Sequence, residues 1–149
     1  MFYVTLFFEG NIKYDDTELL NGIKPELKDG VHFFYTDKPF NLLTENFVKR
    51  KLSGDFRDIQ LLGLYIPTIN FVKVVVNESD MNMTKSIVCH ELKHHEWYKM
   101  MTDEEKEFWE DLYLSDELIW GAENMNRWYG NANEYHSEHF EENLEECYN

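Results

Sequence analysis

Apolar and polar positions divide this chain into a first half patterned like strands and a second half patterned like helices. Residues 2–8 and 31–36 are β-branched or aromatic runs, bounded by Gly10, Asp29-Gly30 and Asp37, which is strand punctuation. Residues 16–28 between them can hold a short helix, and residues 40–52 space Leu43, Phe47 and Val48 as an amphipathic helix does. Residues 59–66 and 70–77 predict a hairpin that turns through Pro67-Thr68-Ile69. Its second arm is apolar on both faces, so it should be at least half buried. Beyond it the apolar period lengthens to that of helices, over residues 81–101, 103–114, 116–128 and 132–146. Strands followed by helices predict an α+β fold, in which helices pack on one side of a small twisted sheet.

One motif on the first of these helices carries chemistry. His90-Glu91-Leu92-Lys93-His94 places two imidazoles four residues apart, on one helix face, where both can reach a single metal ion. Glu91 projects about 100° from His90, too far round to be an equal ligand but close enough to take a proton from a water on the metal. On a helical wheel His90 and His94 share a face with Ile87, Tyr98 and Met101, while Lys85 and Glu96 point the opposite way, so the motif should face inward. Burying such groups is costly unless something pairs with them, and a divalent cation does so. His95 points away from His94 and reads as a packed or hydrogen-bonded histidine; Cys89 reads as a buried thiol.

The segment Trp128-Tyr129-Gly130-Asn131-Ala132-Asn133-Glu134-Tyr135-His136-Ser137-Glu138-His139-Phe140 resembles the second motif of zinc endopeptidases related to anthrax lethal factor. In that family a Tyr-Gly pair precedes a helix bearing a Glu ligand, aromatic residues, a second Glu and a Phe. The resemblance implies a zincin-like fold, a Zn2+ cofactor held by His90, His94 and Glu134, Glu138 supporting the site from outside, and Phe140 in the core. Tyr129 falls where the family places a hydroxyl near the metal, although two residues closer to the ligand than is usual. His136 stands where an aromatic is usual, and Ser137 where Ala is. The likeness extends back to Gly63-Leu64-Tyr65 and the strand after it, which look like the edge strand beside the cleft.

Read from the residues alone, the third ligand stays open. With Asn131 as N-cap, Glu134 occupies the third helical position and can complete a capping box, leaving His136 or His139 as the ligand. Glu138 shares a helix face with Glu134, so the two can exchange roles. Trp97, Trp109, Trp120 and Trp128 can line a specificity pocket, but at this spacing they read first as core. The expected activity is metallopeptidase hydrolysis, with Glu91 as general base, Tyr129 assisting, and an extended peptide adding to an edge strand near residues 71–76. The rival expectation is a catalytically inactive zinc-binding regulatory or interaction protein with the same fold.

Composition narrows the partners. With 149 residues, 43% of them hydrophobic, the chain can bury one core, so a single domain over 1–149 is expected: 1–80 rich in sheet, 81–149 helical and carrying the metal site. A net charge of −15 argues against nucleic acid and leaves a peptide or protein substrate. Residues 2–8 have neither the basic flank nor the cleavage site of a signal peptide, and no run nears the length of a membrane span, so a cytoplasmic protein is expected. Cys89 and Cys147 are far apart in sequence and read as two free thiols.

Overall fold

The computed structural model describes residues 10–41, 60–139 and 143–149. The strand expected at residues 2–8, most of the helix expected at 40–52, and Phe140 lie outside them.

Residues 16–28 form two single turns, α1 (Thr17–Leu20) and α2 (Pro25–Lys28), rather than one helix. Gly22 at φ 83° and Pro25 at the start of α2 separate them. Each turn contributes one buried leucine, Leu19 and Leu27. β1 (His32–Thr36) follows as its aromatic pattern predicts. Phe40 opens a strand where the periodicity points to a helix: β2 (Phe40–Asn41) pairs antiparallel with β3 (Gln60–Leu61).

The hairpin forms as β4 (Gly63–Ile66) antiparallel to β5 (Phe71–Val75). Asn70 closes it at φ 54°, a left-handed conformation that Asn tolerates better than most residues. β1 pairs parallel with the other side of β5, giving the sheet order β1-β5-β4. The strand that is apolar on both faces is therefore the central one, with Val72, Lys73, Val74 and Val75 buried. This corrects the reading of residues 71–76 as the edge open to a peptide. Among the described residues the outer strands of this sheet are β1 and β4.

The helices are α3 (Met81–Lys99), α4 (Asp103–Trp120), α5 (Ala122–Trp128) and α6 (Ala132–His139), then a 3-10 turn (Leu144–Glu146). Thr102 and Glu105 form a capping box at the start of α4. The break after it falls at Gly121, φ 88°, and not near Ser115, because only glycine adopts that conformation without strain. The helix expected over residues 132–146 ends at His139 and resumes only as the 3-10 turn. Mixed strands and helices make the fold α+β.

Val88, Cys89 and Leu92 of α3 join Val72 and Val74 of β5, with Leu19, Ile23 and Leu27, in one core cluster. Cys89 is bonded to Cys147, which corrects the expectation of two free thiols. The fold brings the C-terminal residues onto α3: Lys24 N–H donates to the Cys147 carbonyl at 2.9 Å, and Asn149 N–H to that of Gly22 at 2.6 Å. Among the described residues no helix is long and apolar enough to cross a membrane.

Candidate metal centre

α3 begins at Asp80, whose carboxylate accepts from Met83 N–H at 3.0 Å. From there residues 87–95 are buried without interruption, so this stretch is enclosed on every side rather than along one stripe. Its two motif imidazoles converge as their spacing predicts, with Nε2 of His90 and of His94 3.2 Å apart. Glu91 is buried beside them, and a donor atom from each of the three lies within 4.8 Å of the others.

α6 supplies the rest. Asn131 Oδ1 accepts from Glu134 N–H at 2.8 Å, so Asn131 is the N-cap, as read. The Glu134 carboxylate, meanwhile, lies against both imidazoles. Its Oε1 is 3.1 Å from His94 Nε2 and its Oε2 3.4 Å from His90 Nε2. The capping contact and the contacts with the imidazoles thus fall to different parts of the same turn.

The outer nitrogens of both rings also turn to α6. His94 Nδ1 is 2.9 Å from Asn133 Oδ1, and His90 Nδ1 is 3.8 Å from Glu138 Oε1. With Oδ1 as acceptor, Nδ1 of His94 carries the proton and Nε2 presents its lone pair inward. Two lone pairs and a carboxylate then face one another, an arrangement that repels itself unless a cation or a proton sits among them. Zinc–nitrogen bonds of about 2.0–2.1 Å give a tetrahedron with edges of about 3.3 Å, close to the 3.2 Å between the two Nε2 atoms and the 3.1 Å from His94 Nε2 to Glu134 Oε1, while the other carboxylate oxygen faces His90. The residues fit a zinc ion.

The electrostatics agree. Burial opposes the charge on Glu134, but hydrogen bonds and charge from His90 and His94 outweigh it and hold the carboxyl far below its usual range. Burial likewise works against a charged His94, yet Glu134 and Glu91 together raise its pKa.

Compared with known proteins, the chain matches no family model, no curated protein and no solved structure. The likeness to lethal-factor endopeptidases therefore stands on the residues themselves.

Of the residues singled out from sequence, His90, Glu91, His94, Glu134 and Glu138 come together. Tyr129 packs on Tyr135, ring centroids 5.0 Å apart, and lines a cavity with Asp116, Trp120, Asn124 and Met125. The alternative ligands His136 and His139 both pack on Trp109, and His136 Nε2 lies 3.5 Å from Glu96 Oε1. Glu96 consequently does not point to solvent as the wheel suggests. His95 meets the Tyr65 hydroxyl through Nδ1 at 3.0 Å, in keeping with its reading as a hydrogen-bonded histidine. Trp97 is buried as a core residue should be, whereas Trp120 is largely exposed.

Two residues escaped the sequence reading. Asn133 has no motif of its own and is recognisable only once α6 is docked. Gly63 carried a signal that went unused, since glycine inside a strand often marks a close approach of backbone. A Cβ built there would lie 2.7 Å from Ile87 Cγ2 and 3.0 Å from Glu91 Oε1. Glu91 is seated against the bare backbone of β4.

Proposed function

We propose that this protein is a zinc-dependent metallopeptidase in which His90, His94 and Glu134 would hold the metal and Glu91 acts as general base. The observation that carries the reading is the convergence of both imidazole Nε2 atoms and the Glu134 carboxylate at 3.1–3.4 Å from one another, with His94 Nδ1 hydrogen-bonded to Asn133 on α6. Bound zinc supplies a Lewis acid with one position open, lowering the pKa of a water there to roughly 7.

Glu91 removes the proton of the attacking water and later passes it to the leaving amine. Its burial against Gly63 fixes the carboxylate on the motif side of α3. Asn133 orients the His94 imidazole through a hydrogen bond, and the Glu138 carboxylate faces His90 Nδ1 at 3.8 Å. An extended peptide can add along β4, where main-chain hydrogen bonds align it without dictating its sequence. The Tyr129 hydroxyl would assist in stabilising the oxyanion, as the resemblance implies.

The rival reading, an inactive protein with a closed structural site, requires a fourth ligand from the chain. Of the candidates for that place, His136 and His139 are engaged with Glu96 and Trp109, which favours the open, catalytic site, and Glu138, with a donor atom within 4.8 Å of those of His90 and Glu134, is the carboxylate that would close it. The net charge of −15 favours polypeptide over nucleic acid as partner. The Cys89–Cys147 bond favours an oxidising compartment over the cytoplasm.

The test is the Glu91→Gln variant of the full chain, assayed for zinc by elemental analysis and for cleavage of a mixed peptide library. One zinc per chain with hydrolysis abolished is the expected pair of results. Cleavage at the parent rate in the variant, or a parent chain that takes up no zinc, overturns the reading.

A further inference from the structure

A second group of charged side chains lies behind the candidate metal centre and takes no part in the chemistry assigned above. Glu96 Oε1 is 3.5 Å from His136 Nε2, and Glu96 Oε2 is 3.3 Å from Lys93 Nζ. Lys93 is 4% exposed and His136 only 1%. The His136 ring lies between Trp97 and Trp109, its centroid 5.5 Å and 4.9 Å from theirs. Charged and polar groups at such depth cost stability compared with apolar residues of the same volume, and the aromatic surroundings would accept an apolar ring. What such a pair provides that an apolar ring does not is a fixed register between the elements it joins.

The two elements joined are α3 and α6, which between them carry every residue of the metal centre. Glu96 is two residues beyond His94, and His136 two beyond Glu134. A two-residue step on a helix is a rotation of about 200°, so the pair grips α6 on the side away from Glu134. The helix is thereby held at more than one point round its axis: by Glu96–His136, by Asn133 about 60° from His136, and by Glu134 against the imidazoles. Without the rear contact, α6 can rotate or slide on α3 before any metal arrives. Glu134, the sole ligand from α6, is then no longer held ready.

We infer that Glu96 and His136, with Lys93 beside them, are positioning residues that set the register of α6 on α3 and so hold Glu134 in place for zinc. This rests on the zinc reading above. The pair touches neither metal nor substrate; its effect passes through Glu134.

The experiment compares zinc dissociation constants by chelator competition on the full chain: parent, Glu96→Gln, His136→Phe and the double variant, each also in a Glu134→Ala background. Melting of the zinc-free proteins is followed in parallel. His136→Phe keeps an aromatic ring in the Trp97–Trp109 slot and removes only the polar contact, and His136→Gln restores a nitrogen near the Nε2 position.

Each single variant is expected to weaken zinc about tenfold or more, the range for groups that orient ligands. The double variant should be no weaker than the stronger single, His136→Gln should recover part of the loss, and zinc-free melting should move by only a few degrees. In the Glu134→Ala background the effect should vanish, because the residue through which the pair acts is gone. Unchanged affinity in Glu96→Gln and His136→Phe overturns the inference while leaving the zinc reading intact. So does an equal loss with and without Glu134, or failure of both single variants to fold, since the pair then supports the fold at large. A parent chain that binds no zinc removes both readings together.

Discussion

Asn133 Oδ1 accepts a hydrogen bond from His94 Nδ1 across 2.9 Å, tying an imidazole of α3 to the residue that immediately precedes Glu134 on α6. One contact therefore selects the His94 tautomer and locates the helix that carries Glu134, the proposed third ligand. Asn133→Ala should weaken zinc about 10- to 100-fold, as loss of a group orienting a ligand usually does, while Asn133→Asp should hold affinity or raise it. Chelator competition at neutral pH measures both. Equal affinity in all three proteins would mean that the tautomer is set elsewhere.

Gly63 tests the seat of Glu91. The alanine Cβ would meet Ile87 Cγ2 at 2.7 Å and Glu91 Oε1 at 3.0 Å, and forced overpacking of this kind costs about 1–3 kcal/mol. Gly63→Ala should lose that much stability in urea, retain zinc, and hydrolyse peptides slowly because Glu91 is pushed from its place. Adding Ile87→Ala removes the closest clash but not the one with Glu91, so any recovery of stability should leave the slow rate unrepaired. Full activity in Gly63→Ala would show that the carboxylate does not depend on this contact.

How much of this was readable in the sequence follows from the range of each interaction. His90, Glu91 and His94 were legible because their geometry is that of a single helix, set by spacing alone. Glu134 and Glu138 lie forty or more positions away, beyond the reach of any local rule, and only the resemblance to a known motif singled them out. Asn133, the Glu96–His136 pair and the bond between Cys89 and Cys147, separated by 58 residues, exist only through tertiary packing and left no periodic trace. The misplaced sheet edge has a different cause. Residues 71–76 are apolar on both faces, the pattern of a strand with neighbours on each side, and β5 obeys it. Gly121, too, was a visible stop signal placed inside a segment assigned to one helix.

The disulfide should be worth measuring against reductant. Closing a loop of 58 residues removes chain entropy equivalent to about 4 kcal/mol in the simplest treatment, within the usual range for a native bridge. Cys89→Ala/Cys147→Ala, or the parent in excess dithiothreitol, should unfold at lower denaturant by about 2–4 kcal/mol. Because Cys89 adjoins His90, zinc affinity should also fall as the N-terminal half of α3 loosens. Identical denaturation curves with and without reductant would show that the two sulfurs are not joined in solution.

Buried tyrosines set the alkaline limit of the fold. Tyr35 is 4% exposed and donates through its hydroxyl to Asp16 Oδ2 at 2.7 Å; burial first, and the Asp16 carboxylate second, drive its pKa far above the usual value. Tyr148 is raised by burial alone, and burial pushes Tyr65 up to about 12. A group whose pKa is higher in the folded state than the unfolded value of about 10 supports folding fully below that pH, and its support is lost as pH climbs toward the folded value. Stability should therefore hold level from pH 8 to about 10 and then decline, each such tyrosine adding about 1.4 kcal/mol per pH unit to the slope. Tyr35→Phe should cost about 1 kcal/mol at neutral pH through the lost hydrogen bond and should decline less steeply above pH 10. Denaturant titrations at half-unit intervals from pH 8 to 12 separate the two effects, and a Tyr35→Phe curve parallel to that of the parent would assign the alkaline loss to other groups.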